Sequence, residues 1–375
     1  MKIVAILILL LSLICIAPSF SQDSSSAADW NNKGNTFYNA ESYDLALNCY
    51  EQALIIDPKY EVAWSNKGDA LRRLEKYDDA ILCYDQALII DPKYEAAWSH
   101  KGETLRLKGK FEDAVQCFDQ ALSIDPEDSF AWESKGDALR EMEMYDDAVQ
   151  CYNQAINLDP KDAWAWSHKG ETLRLLGKYE DAVQCFDQAL SINPEDSFAW
   201  ESKGDALREM EMYDDAIQCY NQAIKLDPKD TWAWRYKGDI LDSQGMHEDA
   251  IQCYDQALLA DNEYHETWNN KGVALFNLEK YEDAASCFQK ALDINPQEGL
   301  YWSNMGEVLQ KLNRNSDSEV AFAKAKELGY VAQNALSRSR ISSVPDESRP
   351  NDNGSISRLP EYSASRSGRI SSTPD

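Results

Sequence analysis

Histidine is nearly missing from this chain: His100, His168, His247 and His265 are the only four in 375 residues, and the first two occupy one position of a repeated pattern. That position reads as polar surface. There is no His-x-x-x-His pair, no Cys-x-x-Cys, no Gly-rich phosphate loop and no Gly-x-Ser-x-Gly elbow. The residue sets from which zinc sites, nucleotide sites and nucleophile–base pairs are commonly built are therefore absent. Carboxylate pairs abound, but an acidic helical chain carries them everywhere. The expectation is no enzyme activity, no cofactor and no resident metal.

Positive charge is also short, with 37 Lys and Arg against 65 Asp and Glu and a net charge of −28. The segment after residue 332 holds six Arg against five acids, so the acidity belongs to the body of the chain. A polyanion would be repelled by that body rather than release counterions to it. Nucleic acid is therefore not expected as a partner, and basic or mixed-charge ligands suit the surface better.

Long apolar runs are limited to one. After Met1-Lys2, residues Ile3 to Ala17 carry no charge and a single hydroxyl, Ser12, before Pro18-Ser19-Phe20-Ser21-Gln22. This falls short of the ~20 apolar residues of a comfortable transmembrane helix. Residues 1–21 read as a secretory signal cleaved after Ser21, or as an uncleaved N-terminal anchor, with 22–26 as a linker. Bulky Ile14 ahead of Cys15 argues against lipoprotein processing. Either way the body is expected outside the cytoplasm, secreted or held at the membrane by that segment alone.

What the chain has in plenty is period. Trp30, Trp64, Trp98, Trp132, Trp166, Trp200, Trp234, Trp268 and Trp302 stand 34 residues apart, and only Trp164 and Trp232 fall outside the series. Nine units fill residues 27–332. Within a unit, Trp64, Gly68 and Leu71 share one face of a first helix, and Ala80, Cys83, Tyr84 and Ala87 share one face of a second. Acids such as Asp78 and Asp79 begin the second helix, where the macrodipole favours them. Asp91-Pro92, Asp125-Pro126 and Asp159-Pro160 close units, since proline cannot continue a helix but can begin one. A pair of helices this short cannot bury its large side chains alone, so neighbours must supply the missing surface. A longer period also shows: residues 95–162 and 163–230 match almost letter for letter.

The recurrence of Trp, Gly, Leu, Tyr, Ala, Tyr or Phe, Ala and Pro at these offsets resembles the tetratricopeptide repeat family. The resemblance implies an all-α, right-handed superhelical α-solenoid of tandem helix-turn-helix repeats, with first helices lining the concave side. It implies a protein–protein interaction scaffold that holds an extended peptide or a helix of a partner in that groove. A self-associating structural component of the cell envelope is the alternative, and a regulatory arm of an enzyme complex a remote one. Departures from the family pattern include lysine before the glycine, as at Lys67 and Lys135, whose ammonium is expected in water. The seventh unit has His247 for the turn aromatic and lacks its proline, and the ninth has Ser318 for an alanine.

Three sets of residues are candidates for the groove. Five residues after each tryptophan stands an acid, Asp69, Glu103, Asp137, Glu171, Asp205 and Asp239. Three further on come Arg72, Arg106, Arg140, Arg174 and Arg208. By the resemblance these form acidic and basic ladders, against the plain reading that each acid pairs with its own arginine as solvated decoration. Two residues before the tryptophan stand Phe130, Trp164, Phe198 and Trp232, either peptide anchors or packing against the preceding unit. Lysine and asparagine of the family's carboxylate clamp are replaced by acids in the middle units, which argues against a clamp. Eight cysteines from Cys49 to Cys287 recur every 34 residues. Equivalent positions on stacked helices lie ~8–10 Å apart, too far for bridging, so they read as small buried side chains. Residues 333–375, rich in Ser, Arg and Pro and repeating RISSVPD as RISSTPD, cannot offset the entropy of ordering and are expected to be disordered.

Overall fold

A computed structural model describes residues 26–330. The expected signal or anchor over 1–21, most of the linker over 22–26 and the tail over 333–375 lie outside the described residues. Those described hold eighteen helices and no strand. The chain divides after Ser202 into two compact units, the division falling within the helix Ser197–Glu209.

Each repeat is an antiparallel hairpin, as in Glu61–Arg73 followed by Tyr77–Ile90, of 13 and 14 residues. What closes the hairpin is a ring on a glycine. A Cβ built on Gly68 would stand 2.6 Å from the Tyr84 ring, on Gly102 2.8 Å from Phe118, and on Gly136 2.8 Å from Tyr152. The second unit repeats this with Gly204 under Tyr220, Gly238 under Tyr254 and Gly272 under Phe288. These rings are buried completely or nearly so, as are the alanines beside them, Ala80, Ala87, Ala148 and Ala155 among them.

Two loops frame the hairpin. Between the helices one residue takes a left-handed backbone: Gly109, Gly177 and Gly245 in three repeats, but Glu75, Glu143, Glu211 and Glu279 in others, at φ near 60°. Between repeats, the indole Nε1–H donates to a carbonyl six residues back, Trp64 to Pro58 at 3.0 Å and Trp132 to Pro126 at 3.0 Å. Where the seventh repeat lacks its proline, Trp268 donates to the Asn262 carbonyl at 3.0 Å instead. The 34-residue tryptophan thus ties down the turn by which one hairpin joins the next.

Stacking follows the alternation first helix, second helix, next first helix. Within each unit successive first helices also approach one another, while successive second helices do not to the same extent. Within each unit the first helices therefore make a continuous wall. The lysine before each glycine is not simply in water: Lys135 lies 5.5 Å over the Trp132 ring and reaches Asp119 of the preceding second helix at 2.6 Å. Lys67 does the same with Trp64 and Glu51, and Lys271 with Trp268 and Asp255. The acidic second helices pull the ammonium inward, and the ring is a favourable surface for it. The eight cysteines are buried and outside any disulfide, as their spacing required.

Gly102→Ala forces its methyl into the Phe118 ring, and overpacking of this kind costs about 1–3 kcal/mol. Urea denaturation is expected to show that loss, partly restored when Phe118→Leu removes the ring. An unchanged midpoint for the single variant would contradict the ring-on-glycine seat.

Candidate functional site

The candidate residues all lie on the first-helix wall, but two kinds of repeat treat them differently. Where the second helix carries tyrosine, its hydroxyl donates across the hairpin to the acid: Tyr84 to Asp69 at 2.8 Å, Tyr152 to Asp137 at 2.7 Å. In the second unit Tyr220 donates to Asp205 at 2.7 Å and Tyr254 to Asp239 at 2.8 Å. In the third and fifth repeats, where the second helix carries Phe118 or Phe186, there is no hydroxyl to bind and the acid is the longer glutamate, whereas in the eighth, with Phe288, the position is Val273. Glu103 then takes Arg106 through two bonds of 2.8 Å, and Glu171 takes Arg174 at 2.8 and 2.7 Å. Bidentate geometry of this kind is the strong form of the pair.

These groups are not solvated decoration. Glu103 is 1% exposed and Asp137 6%. Arg72 stands 3.7 Å from Asp69, while Arg140 and Arg208 turn toward Glu141 at 3.6 Å and Glu209 at 2.9 Å. The guanidinium column ends at the seventh repeat, where Asp242 occupies the position and lies 2.6 Å from His247 Nδ1.

The tyrosine-bound acid also receives the next repeat. Asn270 donates to Asp239 at 2.9 Å, and His100 Nδ1 lies 2.9 Å from Asp69. His100 and His168, expected as polar surface, are thus half-buried joints between repeats. Their environments differ. His168 Nδ1 faces the Trp164 carbonyl at 3.0 Å and its ring stacks on Trp164 at 3.7 Å. Burial lowers the pKa of His168, whereas at His100 the Asp69 carboxylate outweighs burial and raises it.

The aromatic column is half-buried and continues from one repeat to the next. Phe130 sits 6.4 Å from His100, Trp164 6.4 Å from Tyr152 of the preceding repeat, and Phe198 5.7 Å from His168. Trp164 packs on the cluster of Leu139, Ala148, Cys151 and Tyr152. In the second unit Trp232 meets Tyr264 at 4.8 Å and carries the Arg235 guanidinium at 5.3 Å.

Sequence reasoning missed the carboxyl groups that meet between repeats. One residue after each tryptophan faces the residue that opens the next first helix, 29 positions on. Ser99 bridges Glu95 at 2.8 Å and Asp128 at 2.9 Å, and Ser167 donates to Asp196 at 3.1 Å. In the fourth repeat that position is Glu133, 7% exposed and set against Asp162. Burial first, and then the Asp162 carboxylate, push Glu133 up to about 10. Burial and Asp128 likewise raise Glu95. The offset of 29 could have exposed the pairing, but only once the hairpin stacking was known.

A tetratricopeptide repeat family model matches residues 27–60, 62–94, 95–128, 163–196, 197–230 and 265–298, more than half of the chain. Further repeat models of the same kind match 136–174 and 219–252. No curated relative matches the chain. Among solved structures it is similar to pilF of Pseudomonas aeruginosa, at 18% identity and a TM-score of 0.52, over 57% of this chain and 97% of that one. It is similar to YrrB, described as a TPR protein with an unusual peptide-binding site, at 21% identity and a TM-score of 0.44, over 49% of this chain and 95% of that one. It is also similar to MamA, at 24% identity and a TM-score of 0.41, over 43% of this chain and 95% of that one. At these identities the likeness speaks of fold alone.

A carboxyl held above its ordinary value of 4.5 keeps a proton that the unfolded chain releases, so folding loses stability as pH rises through that window. Glu133→Gln can still donate to Asp162 without needing a proton. It is expected to raise the melting temperature at pH 7–8 by about 2–4 °C for each kcal/mol relieved, with no gain near pH 4. An equal or lower melting temperature at pH 8 would contradict the proton-sharing pair.

Proposed function

Because this chain belongs to the tetratricopeptide repeat family, whose repeats generally serve as non-enzymatic protein-binding scaffolds, we propose that its first-helix wall holds an extended peptide or helix of a partner carrying Lys or Arg beside apolar residues. The observation that carries this reading is the wall itself. Half-buried Phe130 and Trp164 stand beside the carboxyl pairs Glu95 with Asp128 and Glu133 with Asp162, in which burial and the neighbouring carboxylate hold Glu95 and Glu133 against charging. Beside an incoming ammonium or guanidinium these glutamates would release the proton that crowding makes them keep, and the aromatics next to them supply the desolvated contact area of interface hot spots. The arginines of the same wall, Arg106 and Arg174 in particular, are held by glutamates and offer forks to an acidic residue of the same ligand.

Export belongs to the same proposal. The N-terminal apolar run would place the repeats outside the cytoplasm, secreted or tethered to the envelope, where a scaffold meets other exported proteins. Among the described residues no helix is long and apolar enough to cross a membrane.

Peptides selected from a displayed random library on immobilised repeats are expected to be rich in Lys or Arg flanked by apolar residues. Replacing Glu95 and Glu133 by Gln and Phe130 and Trp164 by Leu is expected to weaken capture by about tenfold or more, equivalent to ~1.4 kcal/mol, with helicity by circular dichroism retained. Undiminished capture by that variant, or selected peptides without basic residues, would overturn the proposal.

A further inference from the structure

Carboxyl groups meet on the wall of the first unit in a geometry that needs shared protons. Ser99 Oγ lies 2.8 Å from Glu95 Oε1 and 2.9 Å from Asp128 Oδ2. A hydroxyl has one proton to give, so with both carboxyls ionised one of these oxygens would meet a lone pair. Glu95 is also bonded to Asp128 directly, and two carboxyls form such a bond only where one of them is protonated. Glu133 stands in the same relation to Asp162. Asp162 Oδ1 accepts the backbone N–H of Trp164 at 2.9 Å and of Ala165 at 3.1 Å. Two backbone donors suit an ionised oxygen, so the proton of this pair belongs to Glu133.

The fifth repeat shows the same joint without the extra acid. Ala163 holds there the place of Glu95, and Ser167, in the place of Ser99, donates to Asp196 at 3.1 Å. The serine–aspartate joint thus closes with no proton to share, and Glu95 is an addition to it rather than a part of it. The two proton-sharing pairs are also neighbours, because Asp128 acts on Glu133 as well as on Glu95. Facing Glu95 are Asp128 and His100, with Tyr94 alongside and Glu61 beyond it, and facing Glu133 are Asp162, Asp137 and Asp128. The cations of these helices are engaged elsewhere: His100 lies 2.9 Å from Asp69, Arg106 is held by Glu103 and Arg140 turns toward Glu141.

We propose that capture of a basic partner by this wall is coupled to proton release, so that the first unit holds its partner at neutral pH and lets it go on acidification. The inference rests on the reading of the wall as a surface for basic groups. An ammonium or guanidinium settling on Glu95 with Asp128, or on Glu133 with Asp162, takes over the role of the proton that the pair shares, and that proton passes to solvent. Burial first, and then Asp128, raise Glu95 to about 7 in the free chain, and burial with Asp162 raises Glu133 to about 10. A bound cation favours the ionised form and lowers both. The free chain therefore carries more protons than the complex. Affinity then climbs with pH until the free chain has lost those protons, by up to about tenfold per pH unit for each proton released. Glu95 places its part of the climb below about pH 7.

Isothermal titration calorimetry of the full chain tests this with a synthetic peptide of Leu, Lys and Arg, blocked at both ends. Its side chains titrate only above about pH 10, so protons released near neutrality come from the protein. Heats measured at pH 7 in phosphate and in Tris are expected to differ in the sense of protons passed to the buffer. Affinity is expected to rise about tenfold or more between about pH 5.5 and about pH 7.5. Glu95→Ala, the residue of the fifth repeat at this place, is expected to flatten that rise while leaving capture at the acid end unchanged. His100→Asn, matching Asn66 and Asn270 at the same place of other repeats, is expected to keep it. Heats independent of the buffer, with the peptide still captured, would overturn the coupling and leave the reading of the wall standing. Absence of capture at every pH would overturn both. A rise abolished by His100→Asn and kept by Glu95→Ala would assign the proton to the histidine and likewise overturn the proposal.

Discussion

An aromatic ring resting on a glycine is the contact on which the rest of this structure depends. Hydrogen in place of a side chain at Gly68, Gly136 or Gly238 lets Tyr84, Tyr152 or Tyr254 lie flat against the partner helix. That close approach sets how far the tyrosine hydroxyl reaches, and it reaches the acid one residue beyond the glycine. A buried ring, an anchored carboxylate and a tightened hairpin are therefore one arrangement. Where the ring has no hydroxyl, as at Phe118 and Phe186, the acid is left to arginine, and the wall acquires its bidentate ion pairs instead.

The same arrangement divides the wall into two kinds of repeat. A tyrosine repeat presents an acid that accepts from the next first helix, through Asn270 or toward His100. A phenylalanine repeat pairs its glutamate with its own arginine and meets the next repeat through Ser99 or Ser167. Alternation of the two kinds therefore changes which side chains cross each joint. Stability of such stacks is a nearest-neighbour property, so each joint counts separately. The crowded carboxyls at Glu95 and Glu133 run against that stability as pH rises.

Helices, their pairing and the buried columns were legible in the sequence because a 34-residue repeat multiplies each weak signal. Ala80, Cys83, Tyr84 and Ala87 needed only helical spacing to be placed inside. The candidate wall was legible as columns but not as partnerships. Nothing in the spacing of Asp69 and Arg72 says that the acid belongs first to Tyr84. The covariation of tyrosine with aspartate and phenylalanine with glutamate did carry that message, in the pairs Tyr152 with Asp137 and Phe186 with Glu171. Contacts 29 or 16 residues apart, such as Ser167 with Asp196 or Lys135 with Asp119, were beyond reach because they follow from how one hairpin sits on the next. For the same reason the lysine beside each tryptophan was expected in water and lies instead over a ring.

Native-state hydrogen exchange tests the central role of the ring most directly. Within the interior repeats of each unit, the slowest amides should lie on the turns that carry Tyr84, Phe118, Tyr152, Phe186, Tyr254 and Phe288 and on the facing turns that carry their glycines. Protection should fall toward the ends of the stack. Slow amides gathered elsewhere, or protection unrelated to the 34-residue period, would contradict the account.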